Sequence, residues 1–507
     1  MSNPLYDSLF GIHAGKSRPF LHLPDGDVIS YQQFLDMGAQ YANAFASLGL
    51  QIGCRVAVQA EKSPQALAIY AACAQAGLVF LPLNTAYTVN ELSYFIENSG
   101  AALIVSDEAK VGPLGALARQ LGTKMETLNA DGTGSLSERA AAQPRSFATV
   151  PRDGEDLAAF LYTSGTTGRS KGAMLTQNNL LSNSQALATE WRFSPDDVLL
   201  HALPIFHTHG LFVATNVTLT AGSSMVFLPK LDLDQLIAWM PRATTMMGVP
   251  TFYTRLLNDV RFTRDLAQHM RLFISGSAPL LAETHVQFEQ RTGHRILERY
   301  GMTETNMNTS NPYHGERRAG TVGFPLSGIE LKITSPDAGE TLPRGQIGQI
   351  EVRGPNVFKG YWQMPEKTRE DLREDGFFIT GDLGMIDADG YVHIVGRDKD
   401  LIISGGYNIY PKEIEQLLDD QPGVLESAVI GVPHSDFGET VVAIVVPEAG
   451  ATPDKQALME AVKGALARFK HPRRIILCPE LPRNTMGKVQ KNMLRDQYNG
   501  LFADEGG

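Results

Sequence analysis

The chain has 507 residues, 43% of them hydrophobic, and a net charge of −11 from 55 acidic against 44 basic side chains. That length supports more than one domain around a large core, and the acidic balance excludes a general binder of nucleic acid or anionic membrane. The three cysteines, Cys54, Cys73 and Cys478, form no CxxC pair, which argues against a disulfide framework or a cysteine metal site and predicts a reducing compartment, the cytoplasm.

In chain order, the opening residues MSNPLYDSLFGIHAGKSRPF lack an apolar h-region, so no secretory signal is expected. The apolar stretch Ala66–Leu83 has the look of a membrane span. Ser63 as a cap, Pro64 at the first helical position and a stop near Gly77 instead predict a helix over Pro64–Ala76 and a strand over Leu78–Leu83. Strands at Arg55–Ala60 and Ala102–Val105, with a helix near Glu91–Glu97, continue an alternation that predicts an α/β fold with largely parallel sheet. The rhythm returns at Thr176, an N-cap before Gln177–Trp191, and at the short strand Arg271–Ser275.

Between them lies YTSGTTGRSKGAML (162–175), with three glycines, a lysine and six hydroxyl side chains. Glycine lets backbone N–H groups crowd round an anion and the hydroxyls add donors, so the segment predicts a phosphate-binding loop. Its spacing is not that of a P-loop, because two residues separate Gly165 from Gly168 and Lys171 leads into a strand rather than a helix. A plain surface linker would explain the Gly and Ser but neither Lys171 nor the apolar flanks.

Around Gly320–Gly396 turns become frequent and strands short, as at Gln349–Arg353 and Tyr391–Val395, which predicts a β-rich subdomain. After Arg397-Asp398-Lys399-Asp400 a small unit of helices near Pro411–Asp419 and Lys455–Arg468 and strands Ser427–Val432 and Val441–Val446 is expected. Five further motifs share the loop's flavour: RYGMTET (299–305), TGDLG (380–384), GRDKDLI (396–402), SGGYNIYPKEIE (404–415) and LPRNTMGKVQK (481–491). Each taken singly has a structural explanation, such as a turn cap at Asp382 or a surface arginine at Arg397.

Together, in this order, the motifs resemble the adenylate-forming superfamily of acyl-CoA synthetases, luciferases and peptide-synthetase adenylation domains. The resemblance implies a large N-terminal domain of α/β sheets plus a β-rich subdomain (1–398) and a small mobile α+β C-terminal domain (399–507), hinged at Lys399. It implies ATP, Mg²⁺ and CoA as cofactor and co-substrates. Thr163, Ser164, Gly165, Thr166, Thr167, Gly168, Ser170 and Lys171 would hold the β- and γ-phosphates. Gly276, Ser277, Ala278, Pro279, Arg299, Tyr300, Gly301 and Met302 would line the adenosine, with Tyr300 stacked on adenine. Thr303 would bond the α-phosphate, Glu304 and Thr166 would hold Mg²⁺, Asp382 would accept the ribose hydroxyls supported by Arg397, and Gly405 and Gly406 would line the pantetheine tunnel. Lys488, Thr303 and His207 form the implied catalytic set. In such chemistry a carboxylate attacks the α-phosphorus, pyrophosphate leaves, and a thiol then displaces AMP from the acyl-AMP.

For the acid, LPIFHTHGLF (203–212) and GVPTFYTRLL (248–257) offer His207, His209 and Arg255 where a fatty or aromatic acid would want apolar lining. Arg255 either grips a second carboxylate or sits on a solvent face of its helix. These stretches, with RLFISGSAPLL and ERYGMTETNMNTSNPY, are similar to malonyl-CoA synthetases, which also take methylmalonate. That likeness implies an acid site of His207, Arg255, Ser277 and Gly301, with His209 structural. A CoA ligase for another small or aromatic acid, an adenylating enzyme serving a separate carrier protein and a non-catalytic nucleotide sensor remain alternatives. The implied partners are small molecules and, through Lys488, a lysine acetyltransferase and deacetylase; neither nucleic acid nor membrane is expected.

Overall fold

The computed structural model describes residues 2–163, 170–335, 339–404, 407–434, 437–466, 468–484 and 487–502. Ser164, Gly165, Thr166, Thr167 and Gly168 of the phosphate loop and the paired Gly405 and Gly406 lie outside them. Local signals place the elements as expected. The Ser63 side chain accepts from the Ala66 amide at the start of helix Pro64–Gln75, and Thr176 forms a capping box with Asn179 ahead of helix Gln177–Glu190.

Two sheets dominate the N-terminal region. The six-stranded one runs Lys124–Thr127, Leu103–Ser106, Arg55–Gln59, Val79–Pro82, Leu157–Thr163, Lys171–Thr176. It is parallel until the last pair, which is an antiparallel hairpin. The nine-stranded sheet contains a run of six adjacent parallel strands, of which four, Leu297–Met302, Leu272–Ser275, Thr245–Gly248 and Val198–His201, lead into the segments described below. Nearly continuous apolar burial on both faces explains why these strands read as short apolar runs rather than alternating ones. A four-stranded antiparallel sheet, Glu330–Thr334, Gly348–Arg353, Phe378–Ile386 and Val392–Arg397, forms the β-rich unit.

Beyond Arg397 the core changes. A five-stranded sheet carries two clusters of its own: Val441, Ala443 and Val445 pack on one face with Ile414, Leu418 and Leu458, while Val442, Ile444 and Val446 pack on the other with Leu494 and Phe502. The period-2 alternation of strand Gly438–Pro447 sets this two-sided core. No helix of the described residues is long and apolar enough to cross a membrane.

Candidate active site

The four parallel strands end on one side of their sheet, and the segments that follow carry the singled-out residues. After Val198–His201 come His207 and His209; after Thr245–Gly248, the helix Pro250–Asn258 with Arg255; after Leu272–Ser275, Gly276–Pro279; and at the end of Leu297–Met302, Arg299 to Met302. The carboxyl ends of parallel strands are where open α/β sheets place ligands, because the connections diverge there and leave a crevice.

The RYGMTET stretch turns back on itself. Met302 and Asn306 are register partners of an antiparallel hairpin, and the Thr305 amide donates to the Met302 carbonyl at 3.2 Å, so Thr303 and Glu304 project from a tight turn. Glu304 is buried, its Oε1 accepts from the Tyr361 hydroxyl at 3.0 Å, and burial pushes its carboxyl above the usual range. Lys171 reaches the same place: its Nζ lies 3.2 Å from the Tyr361 hydroxyl and 3.7 Å from Asp371. Thr163 and Lys171 are cross-strand partners, so the two ends of the phosphate loop stand side by side. Ser170 accepts from the Tyr94 hydroxyl through its carbonyl.

Asp382 and Arg397, 15 residues apart in sequence, become direct cross-strand neighbours and pair at 2.7 Å. The other Asp382 oxygen accepts from the Tyr300 hydroxyl at 2.5 Å, so a ribose diol would exchange with this tyrosine for that oxygen. No pair of these residues is adjacent in sequence. Register brings Asp382 to Arg397, and the packing of the four-stranded sheet against the nine-stranded one brings Tyr300 to Asp382.

Lys488 arrives from the small C-terminal unit on a turn closed by the Lys488 amide donating to Asn484 Oδ1 at 3.0 Å and the Gly487 amide donating to the Asn484 carbonyl at 2.9 Å. Gly487 takes φ +74, the left-handed region that glycine enters without steric cost. A Cβ there would lie 3.8 Å from the Thr251 methyl, so the turn rests against the first turn of helix Pro250–Asn258. Lys488 is exposed as a whole residue. Desolvation, then Arg397, then Arg299 pull its ammonium below the ordinary lysine value, while Asp382 and Glu304 pull it back up.

The acid side of the crevice is basic. His207 is neutral, its pKa lowered to about 4 by burial and then by Lys488, and its Nε2 has no partner. His209 is held well below the ordinary histidine range by burial and then by Arg299, and its Nδ1 lies 3.2 Å from the Ser277 hydroxyl. Ser277 itself holds φ +73, uncommon for a side-chain-bearing residue. Arg299, grouped with the adenosine by its motif, sits so close over Gly276 that a Cβ there would come 2.4 Å from its guanidinium carbon. It is 3% exposed, no carboxylate pairs with it among the described residues, its Nε and Nη2 have no hydrogen-bond partner, and burial lowers its pKa to about 9. Sequence reasoning missed this. The only signal was the charged pair Glu298-Arg299 inside a short parallel strand.

Arg255 is exposed and makes no ion pair among the described residues. Phe252, Tyr253 and Leu256 bury the opposite side of its helix, whereas Thr251, one turn back on Arg255's own face, meets the Lys488 turn. Its exposure is therefore toward the side of the helix that meets the Lys488 turn.

A nucleotide-type crevice with a lysine from the small C-terminal unit, an acid–arginine pair and a glycine- and hydroxyl-rich loop defines an adenylate-forming enzyme. The chain belongs to the AMP-binding enzyme family: the family's model matches residues 13–362 and that of the AMP-binding enzyme C-terminal domain matches 413–488. It is 36% identical over 492 residues to a malonate–CoA ligase of Arabidopsis thaliana, covering 90% of this chain and 80% of that one. To a feruloyl-CoA synthase of an Amycolatopsis species it is 35% identical, covering 93% and 94%. The ATP-bound crystal structure of MatB from Rhodopseudomonas palustris is 57% identical and covers 99% of this chain and 100% of that chain with a TM-score of 0.97. The apo crystal structure of the same protein, at the same identity and coverage, gives 0.86. The present arrangement of the chain therefore follows the ATP-bound form.

Proposed function

We propose that this protein is an AMP-forming acid–CoA ligase that activates malonate, and with it methylmalonate, in two half-reactions. In the first, a substrate carboxylate oxygen attacks the α-phosphorus of ATP and pyrophosphate leaves. In the second, the CoA thiol attacks the acyl carbon and AMP leaves. Tyr300, Asp382 and Arg397 hold the nucleoside, Lys171 with Thr163 and Ser170 the outer phosphates, and Thr303 the α-phosphate. Lys488 bridges the attacking carboxylate and that phosphate as a positioned point charge. Neutral His207 supplies a free ring nitrogen to the substrate carboxylate.

Magnesium fits this donor set. Among the described residues no group of three metal-ligating side chains exists, and Glu304 offers one buried carboxylate beside the phosphate residues. One carboxylate plus substrate phosphates is how Mg²⁺ is commonly held, where it would neutralise the departing pyrophosphate.

The observation that carries the choice of acid is the Arg299 guanidinium. A buried, unpaired charge costs several kcal/mol, roughly, and a second substrate carboxylate would satisfy it. Arg255 supports the same end from the lid side of the crevice. The identity to the Arabidopsis malonate–CoA ligase agrees with this reading, while the feruloyl-CoA synthase at comparable identity keeps an aromatic acid as its rival. We place the domain division at Lys399 and the protein in the cytoplasm, and assign Lys488 as the site at which acetylation would silence the first half-reaction. Pyrophosphate release measured over malonate, methylmalonate, acetate, ferulate and benzoate tests the acid: malonate should lead, and equal or faster turnover of a monocarboxylate overturns the reading.

A further inference from the structure

Lys62 is the most deeply buried ammonium outside the crevice described above, at 7% exposure, with no carboxylate near it among the described residues. Its three N–H bonds have three acceptors: the His201 carbonyl at 2.7 Å, His201 Nδ1 at 2.8 Å and the Leu203 carbonyl at 3.0 Å. The ring of Phe227 lies 4.4 Å beneath it. Because His201 Nδ1 accepts from the ammonium, its proton is on Nε2, which donates to the Gly210 carbonyl at 2.8 Å. Thr215 donates to that same carbonyl at 3.0 Å.

Residues 203 and 210 bracket the segment that carries His207, Thr208 and His209. Lys62 grips its first end directly and its last end through the His201 ring. The two ends also touch: a Cβ on Gly210 would meet the Pro204 carbonyl at 2.0 Å. Lys62 follows strand Arg55–Gln59 of the six-stranded sheet, and His201 ends strand Val198–His201 of the nine-stranded sheet, so this one side chain ties the two sheets together behind the acid pocket. An apolar side chain would fill the space at a lower desolvation cost, since burying a lone ammonium is expensive. What only the ammonium supplies is three directed donors.

We propose that Lys62 is a positioning residue for the acid substrate, holding the 203–210 segment through His201 so that His207 and His209 face the acyl group. The proposal rests on the acid-activating reading, though not on which acid is used, so its kinetics are taken with whichever acid the wild-type protein turns over fastest. Lys62→Met keeps the length and removes the donors. The expected result is a ten- to hundred-fold fall in kcat/KM for the acid, with KM for ATP within twofold of wild type. Should that variant fail to fold, His201 decides: His201→Gln, whose amide can accept from Lys62 and donate to Gly210, should retain most activity, and His201→Leu should show the acid-selective loss. A lowered Tm with both Michaelis constants unchanged, an equal rise in both, or indistinguishable behaviour of the two His201 variants overturns the proposal. A wild-type protein that turns over acetate or ferulate better than malonate defeats the malonate reading alone.

Discussion

On the proposed mechanism Lys488 stands where charge builds on the α-phosphate as the carboxylate attacks, and in the present arrangement the small unit brings it within the electrostatic reach of Arg397, Asp382, Arg299 and Glu304. Lys488→Ala should lower acyl-AMP formation by about a hundred- to a thousand-fold, the cost of removing one such electrostatic donor, while supplied acyl-AMP is still converted to thioester. Separate assays of the two half-reactions check this, and near-normal adenylation would refute it. The depressed lysine pKa adds a pH signature. A group whose pKa is lowered loses its proton at lower pH, so adenylation in the wild type should fall on the alkaline side before an ordinary lysine near 10.5 would titrate, and thioester formation from acyl-AMP should not follow it. At Arg299, stability and function should part company. Arg299→Met removes a buried charge that has no anion when the site is empty, so Tm should hold or rise, while malonate activation falls by about a hundredfold or more and acetate activation is spared. Arg255→Ala should be the milder of the two because Arg255 keeps its solvent. Equal losses for malonate and acetate in the Arg299 variant would return that residue to a purely structural role.

At the scale of elements, the caps and periods were legible and the pairings were not. Ser63 and Thr176 announced helix starts because an N-cap is a local arrangement of one side chain and an amide three residues on. Helix Pro411–Asp419 coincides with its expected bounds because Pro411 opens its first turn and the amphipathic pattern ends with it. Expected strand ends drift by one to three residues, as at Ser427–Val432 against Val424–His434, because pairing with Gly438–Pro447 extends a strand past its own propensity. The chemistry-bearing residues were readable as motifs, yet their proximity is a matter of register. Asp382 meets Arg397 across a hairpin, and Arg299 meets Gly276 across two parallel strands. Nothing local in the sequence revealed that Arg299 lacks an anion or that Lys62 reaches the other sheet, since both depend on which strands end side by side. Gly276→Ala tests the Arg299 packing at this scale. A methyl 2.4 Å from the guanidinium carbon forces that side chain aside, so acid selectivity for malonate should drop even though no charge is removed, which a panel of malonate against acetate would register.

Across the whole molecule, the large buried cluster of the N-terminal region shares no residue with the two clusters of the small unit, and Asp398-Lys399-Asp400 lies between them in sequence. On the proposed mechanism the crevice is complete only with Lys488 in place. On that mechanism the small unit supplies Lys488 to the first half-reaction and the expected pantetheine segment at Gly405 and Gly406 to the second, in two different orientations. The junction is a short turn: the Leu401 amide donates to the Asp398 carbonyl at 3.0 Å, and Asp400 is tied to Arg495 at 2.6 Å within the small unit. Lys399 occupies the second position of this turn, where proline's fixed φ is well accommodated and no bond from the Lys399 amide is lost among the described residues. Lys399→Pro should therefore preserve the present, ATP-bound-like arrangement and hinder the rotation out of it, because a hinge must absorb a large backbone change at a few residues. Acyl-AMP formation should remain within a few-fold of wild type while conversion of acyl-AMP to thioester slows by about a hundredfold or more, a split readable by single-turnover assays of each half-reaction. Proportional losses in both halves would mean that the turn is merely structural and that the rotation pivots elsewhere.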